Sequence, residues 1–202
     1  VVVGHSMGGF VAVVAADRHP DRVRDVVLVD GGLPLDMTGL AGLPVEQVVA
    51  AITGPALDRL RMRFPSAEAY LDQWRSHPAF AADWNDHIER AYRYELVGEA
   101  PQLYCAVRDT AVLEDSASEL TSGDVERALK RFTQPVVLVR APRGIFDQVP
   151  PLYPDSMADA RRNTVPRLTE HLVSDVNHYT ILLTDPGAAE VATVLRDRAM
   201  TE

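Results

Sequence analysis

The 202 residues are 47% hydrophobic and 24% charged, and 29 Asp and Glu against 20 Lys and Arg give a net charge of −9. That length suits one domain with room for a subdomain, and the composition is that of an ordinary globular chain. The acidic balance argues against nucleic acid or an anionic membrane surface as partner, and no apolar run reaches the ~18 residues of a membrane span. A single cysteine, Cys105, excludes an internal disulfide and a cysteine-based metal site. It fits a reducing cytosol, which makes the cytoplasm the expected compartment. In its setting QLYCAV it reads as a small buried apolar residue.

The chain opens on three valines, the end of a buried strand. Gly4-His5-Ser6-Met7-Gly8 follows, a G-x-S-x-G pentapeptide, with Gly9 behind it. Phe10–Arg18 is apolar enough to pack as a helix. Strand, sharp turn with serine at the tip, and helix form the context that a nucleophile elbow requires. It predicts Ser6 at positive φ, with its hydroxyl at a helix N-terminus where developing negative charge is favoured. The competing reading is a glycine-rich turn whose serine only caps the helix.

His19-Pro20-Asp21-Arg22 breaks the pattern, and Val23–Asp30 reads as a second buried strand that ends in Gly31-Gly32. Strand, helix and strand in this span predict a βαβ unit and a parallel sheet. Loops at the carboxyl ends of such strands build the site, and Ser6 and Asp30 both lie there.

From Leu33 to Gly123, Pro34, Pro44, Pro55, Pro65, Pro78 and Pro101 punctuate the chain. Helices are expected over Pro44–Thr53 with Glu46 early, from Ser66 as N-cap through SAEAYLDQWRSH, over Phe80–Arg90 with Trp84 and Ile88 on one face, and over Asp109–Leu120. No strand of comparable strength interrupts this run. Residues 34–123 therefore read as a helical cap inserted between strands of a core formed by 1–33 and 124–202. The charged stretches Asp58, Arg59, Arg61, Arg63 and Asp86, Glu89, Arg90 read as solvated helix faces.

Asp124–Arg131 is a short helix leading into Gln134–Arg140, the third clear strand. A turn ending in Asp147, a proline-rich loop, a helix over Ser156–Asn163 and a last strand within Arg167–Val176 follow. The closing helix spans Asp185–Ala199, with Asp185 as N-cap and Pro186 at its first position.

The GHSMGG elbow in this setting resembles the α/β-hydrolase superfamily, in the form found in capped esterases. The resemblance covers nearly the whole chain but starts at the nucleophile elbow. It implies an α/β fold with a mostly parallel sheet and flanking helices, and a C-terminal portion lacking the strands upstream of the elbow. It further implies a Ser-His-Asp triad in the order Ser, acid, His. A serine hydroxyl needs a base, and the base needs an acid to fix its tautomer. His178 follows the last strand and precedes the last helix, where the family places its histidine. His5, His19, His77, His87 and His171 sit elsewhere. Asp147 is the preferred acid, seven residues beyond Arg140 and 31 before His178. Asp30 is the rival, at a position that some members of the family use. Met7 would supply one backbone N–H of the oxyanion hole; the family's second donor comes from an upstream loop outside this chain.

His5, Trp74, Trp84 and Tyr179 are the candidates to line a pocket. Core packing is the competing reading for the tryptophans, Tyr179 and Phe80, and packing beneath the turn for His5. Arg143, beside the acid turn, is either an ion-pair partner or a surface residue.

The expected activity is hydrolysis of a carboxylic ester or related small-molecule acyl substrate through an acyl-enzyme, without metal or organic cofactor. Carbon–carbon bond hydrolysis and perhydrolase chemistry by the same triad are alternatives. A ligand-binding protein without turnover is another. An incomplete domain with an exposed sheet edge is a third.

Overall fold

The computed structural model describes residues 1–36, 42–44, 47–49, 57–165 and 167–200. Two compact units divide the chain: Val1–Asp36 with Gly123–Glu202, and Met37–Ser122.

The first unit is built on four parallel strands in the order β1 (Val2–His5), β2 (Val26–Val29), β5 (Val136–Arg140), β6 (Leu168–Leu172). Side chains alternate across the two faces, and both faces are covered. On one face Val26, Leu28, Val136, Leu138 and Leu168 pack with helix α1 (Met7–Arg18) and helix α5 (Asp124–Arg131) through Val13, Ala16, Val125 and Leu129. On the other, Val27, Val29, Val137 and Val139 meet Ile181 of the short helix α7 (Thr180–Leu183) and Val191 of helix α8 (Asp185–Met200). Two-sided burial explains why VVLV and VVLVR read as unbroken apolar runs rather than alternating ones. Each such fully buried side chain contributes roughly 1.5–3 kcal/mol.

Arg140 ends β5 inside this core. It donates to Glu170 Oε2 (3.1 Å), to the Tyr153 carbonyl (3.3 Å) and to Asp155 Oδ1 (2.5 Å) at the start of helix α6 (Asp155–Arg162). Tyr153 in turn donates its hydroxyl to the Leu33 carbonyl at 2.8 Å. This chain of bonds ties the loop after β2 to the loop after β5.

The second unit holds helix α2 (Ala67–Arg75), a 3₁₀ turn (Pro78–Phe80), helix α3 (Asp86–Tyr94) and helix α4 (Asp109–Ser122). Ser66 caps α2, its Oγ accepting from Ala69 N–H at 3.1 Å. Tyr70, Leu71, Trp74, Phe80, Ile88 and Tyr92 form its buried interior. Trp74 stacks on Tyr92 with ring centroids 3.8 Å apart.

Three expectations change here. Phe80–Arg90 is not one helix: Asn85 accepts from His87 and Ile88 N–H and starts α3 after Trp84, so Trp84 and Ile88 do not share a helix face. The run also holds a short antiparallel pair, β3 (Leu96–Val97) with β4 (Tyr104–Cys105), whose two residues per strand do not match the sheet strands in length. Arg59 is not a solvated charge, because its guanidinium lies over the Trp74 ring at 4.1 Å. Asp185 is the first residue of α8 rather than its cap, since the Ala188 N–H already reaches the Thr184 carbonyl. The helix expected over Pro44–Thr53 lies largely outside the described residues, as do Glu46 and Pro55; residues 47–49 are helical. Among the described residues no helix is long and apolar enough to cross a membrane.

Candidate active site

Ser6 stands between β1 and α1 with φ 54° and ψ −124°, a strained conformation for a side-chain-bearing residue. Its N–H is held by the Val29 carbonyl at 3.0 Å, and its own carbonyl accepts from Gly9 at 2.9 Å. The elbow is too tight for side chains on its strand side. A Cβ on Gly4 would come within 2.1 Å of the Gly8 carbonyl oxygen, whereas one on Gly8 would meet nothing within 4 Å. The pattern's glycines are thus unequal: Gly4 is required by close approach and Gly8 is the backbone it approaches. The result is a serine hydroxyl at the N-terminus of α1. Met7 opens that helix, where the first N–H groups lack intrahelical acceptors.

His178 lies just ahead of α7 and is 2% exposed. Its Nε2 stands 3.0 Å from Ser6 Oγ and its Nδ1 stands 2.8 Å from Asp30 Oδ2. A carboxylate can only accept, so the proton sits on Nδ1 and leaves Nε2 to accept from the serine hydroxyl. Asp30 directly follows β2 at φ 43° and has no exposed surface. Its second oxygen accepts from Ala141 N–H at 3.1 Å, so both carboxylate oxygens are engaged. A buried polar group of this kind needs such partners, and it has one on each oxygen.

Asp147 is placed differently. Its Oδ1 accepts from Arg143 Nε at 2.6 Å and from Asn177 Nδ2 at 3.0 Å, and the side chain is 40% exposed. Burial pushes its carboxyl up, but the hydrogen bonds from Asn177 and Arg143 outweigh that and hold it below the ordinary value. Arg143 also donates to the Asp175 carbonyl at 3.1 Å. The structure therefore brings Asp30, not the preferred Asp147, to the ring of His178. Asp147 belongs to the support of the histidine loop.

Asn177 was not singled out by the sequence. It is fully buried, and its Oδ1 accepts from the N–H groups of Tyr179 and Thr180, both at 3.0 Å, while Thr180 Oγ1 takes the Asn177 N–H at 2.7 Å. The local signal was present: Asn three residues before Thr at a helix start is a reciprocal cap. The other pocket candidates separate. His5 and Tyr179 lie against His178, with ring centroids 4.7 Å and 5.1 Å away. Trp74 is 3% exposed in the interior of the second unit, and Trp84 sits half-buried there, edge-on to Phe80.

Residues 1–193 match the alpha/beta hydrolase family. The chain belongs to that family. Solved structures of the same fold include a peroxisomal alpha-beta-hydrolase from Saccharomyces cerevisiae, 13% identical, with a TM-score of 0.70 over 100% of this chain and 53% of that one. An esterase from Mycobacterium tuberculosis is 20% identical, with a TM-score of 0.63 over 99% of this chain and 62% of that one. An E-2-(acetamidomethylene)succinate hydrolase is 21% identical, with a TM-score of 0.62 over 96% of this chain and 64% of that one. The chain thus spans between about half and two thirds of the length of these alpha/beta hydrolases. No curated protein matches it by sequence.

Proposed function

We propose that this alpha/beta hydrolase is a serine hydrolase of carboxylic esters or related small-molecule acyl substrates, working through Ser6, His178 and Asp30. The observation that carries this reading is the unbroken chain Ser6 Oγ, His178 Nε2, His178 Nδ1, Asp30 Oδ2, with links of 3.0 and 2.8 Å. In the proposed reaction the Ser6 oxygen bonds to the acyl carbon as its proton passes to His178 Nε2. The buried Asp30 carboxylate stabilises the imidazolium and keeps its orientation. The Met7 N–H donates to the oxyanion of the tetrahedral intermediate. Collapse breaks the bond to the leaving alcohol, which takes the proton from His178. Water then repeats the sequence on the acyl-enzyme and releases the acid.

The test is intact mass after exposure to a fluorophosphonate, with activated-ester turnover measured beside it. The reading predicts one adduct and turnover, both lost in Ser6→Ala, which should reduce kcat by at least ~10³-fold. Folded protein that takes up no adduct and turns over no ester would overturn it.

A further inference from the structure

The elbow carries a second histidine that the triad does not use. His5 ends β1, one residue before the nucleophile, and its Nε2 lies 2.8 Å from the carbonyl oxygen of His178, a partner 173 residues away in sequence. The two rings stand 4.7 Å apart, tilted by 33°. We propose that His5 is a positioning residue for His178: its Nε2–H grips the His178 carbonyl and sets the main chain from which the catalytic ring reaches both Asp30 and Ser6. This rests on the triad reading given above.

Three observations support it. A carbonyl oxygen can only accept, so the bond fixes His5 as the Nε2–H tautomer. The nucleophile and the histidine loop come from opposite ends of the sequence, and this bond joins them beside the reacting atoms rather than through the sheet. Finally, His5 faces His178 and Asp30. Burial and the neighbouring His178 lower its pKa to about 4, against the upward pull of the His178 carbonyl and of Asp30. A neutral ring therefore lies next to His178 when it takes the serine proton, and two adjacent cations are avoided.

His5→Phe keeps a ring but removes the donor; His5→Gln keeps a side-chain N–H at similar reach. The rate of fluorophosphonate labelling should fall at least ~10-fold in His5→Phe, within the hundredfold that a small misplacement can cost. His5→Gln should recover most of that loss. In ¹⁵N spectra of the imidazoles, His5 of the unmodified protein should remain the neutral Nε2–H form down to about pH 5. Equal rates for all three proteins, equal slowing without rescue by glutamine, or a His5 signal that is Nδ1-protonated at neutral pH would each overturn the inference and leave the triad standing. No labelling of the unmodified protein would overturn the triad reading, and this one with it.

Discussion

The loops after two strands each hold an aspartate with positive φ: Asp30, directly after β2, at 43°, and Asp147, seven residues beyond the end of β5, at 61°. From there the two loops diverge. Asp30 is sealed, with one oxygen on Ala141 N–H and the other on His178 Nδ1. Asp147 is two-fifths exposed and spends its hydrogen bonds on Arg143 and Asn177. The same residue type in a loop after a buried strand thus meets two different environments. A sealed carboxylate with fixed partners can orient a ring and hold its charge. An exposed one beside an arginine is already neutralised and screened. In the proposed triad, orientation of the base falls to the first loop, and the second loop holds the histidine loop through Asn177.

The comparison breaks most sharply on the acids themselves. Asp30→Asn should lower kcat/KM by on the order of 10³–10⁴-fold, because an amide in that place offers the wrong partner for the Nδ1 proton. Asp147→Asn should cost less than ~10-fold, since Asn177 keeps its contacts with Tyr179 and Thr180. Steady-state kinetics with an activated ester checks both.

The loops differ in tolerance as well. A Cβ on Gly31, beside Asp30, would come within 2.1 Å of the Ser6 carbonyl oxygen, which is backbone. The three atoms nearest a Cβ on Gly144, before Asp147, belong to the amide end of the Gln148 side chain, which can swing away at the cost of one hydrogen bond from Phe146 N–H. Gly31→Ala should therefore destabilise by ~3 kcal/mol or more, or prevent folding, and Gly144→Ala by no more than ~1 kcal/mol. Denaturant titration of the two variants measures the difference.

Acidification gives the smallest and most specific separation. The pKa of His5 is lowered to about 4 from an ordinary 6.5, so the unfolded chain binds the extra proton first. That share of stability is present above about pH 6.5 and lost as pH falls toward 4. Asp147, held below its ordinary value of 3.8, contributes stability present above that value and lost as pH falls through its folded value. Unfolding midpoints should thus decline in two stages. His5→Gln should reduce the first, to which His77 also contributes, and Asp147→Asn should reduce the second, which Asp147 shares with Asp17, Glu68, Glu89 and Asp109.

The elbow was legible because its determinants are local: valines, Gly4, Ser6 and an apolar helix in one run. That His178 follows the last strand was legible too; the short helix α7 that stands between it and the last helix was not. Which aspartate meets the His178 ring was not legible, because both candidate loops follow a buried strand and carry an aspartate. Only the course of the chain beyond β5, which brings Ala141 rather than Asp147 to the site, separates them. The role open to His5 was hidden because its partner carbonyl is set by a contact across nearly the whole sequence. The place of Arg59 over Trp74 is hidden for a similar reason: a charge in a charged run gives no sign of an aromatic ring from a later helix.

The most direct test of the account is the rate constant for fluorophosphonate labelling of Ser6 in Asp30→Asn beside that in Asp147→Asn, both compared with the unmodified protein. Labelling should slow by ~10³-fold or more in Asp30→Asn and by less than ~10-fold in Asp147→Asn. The reverse order would contradict it and return the acid of the triad to the loop after β5.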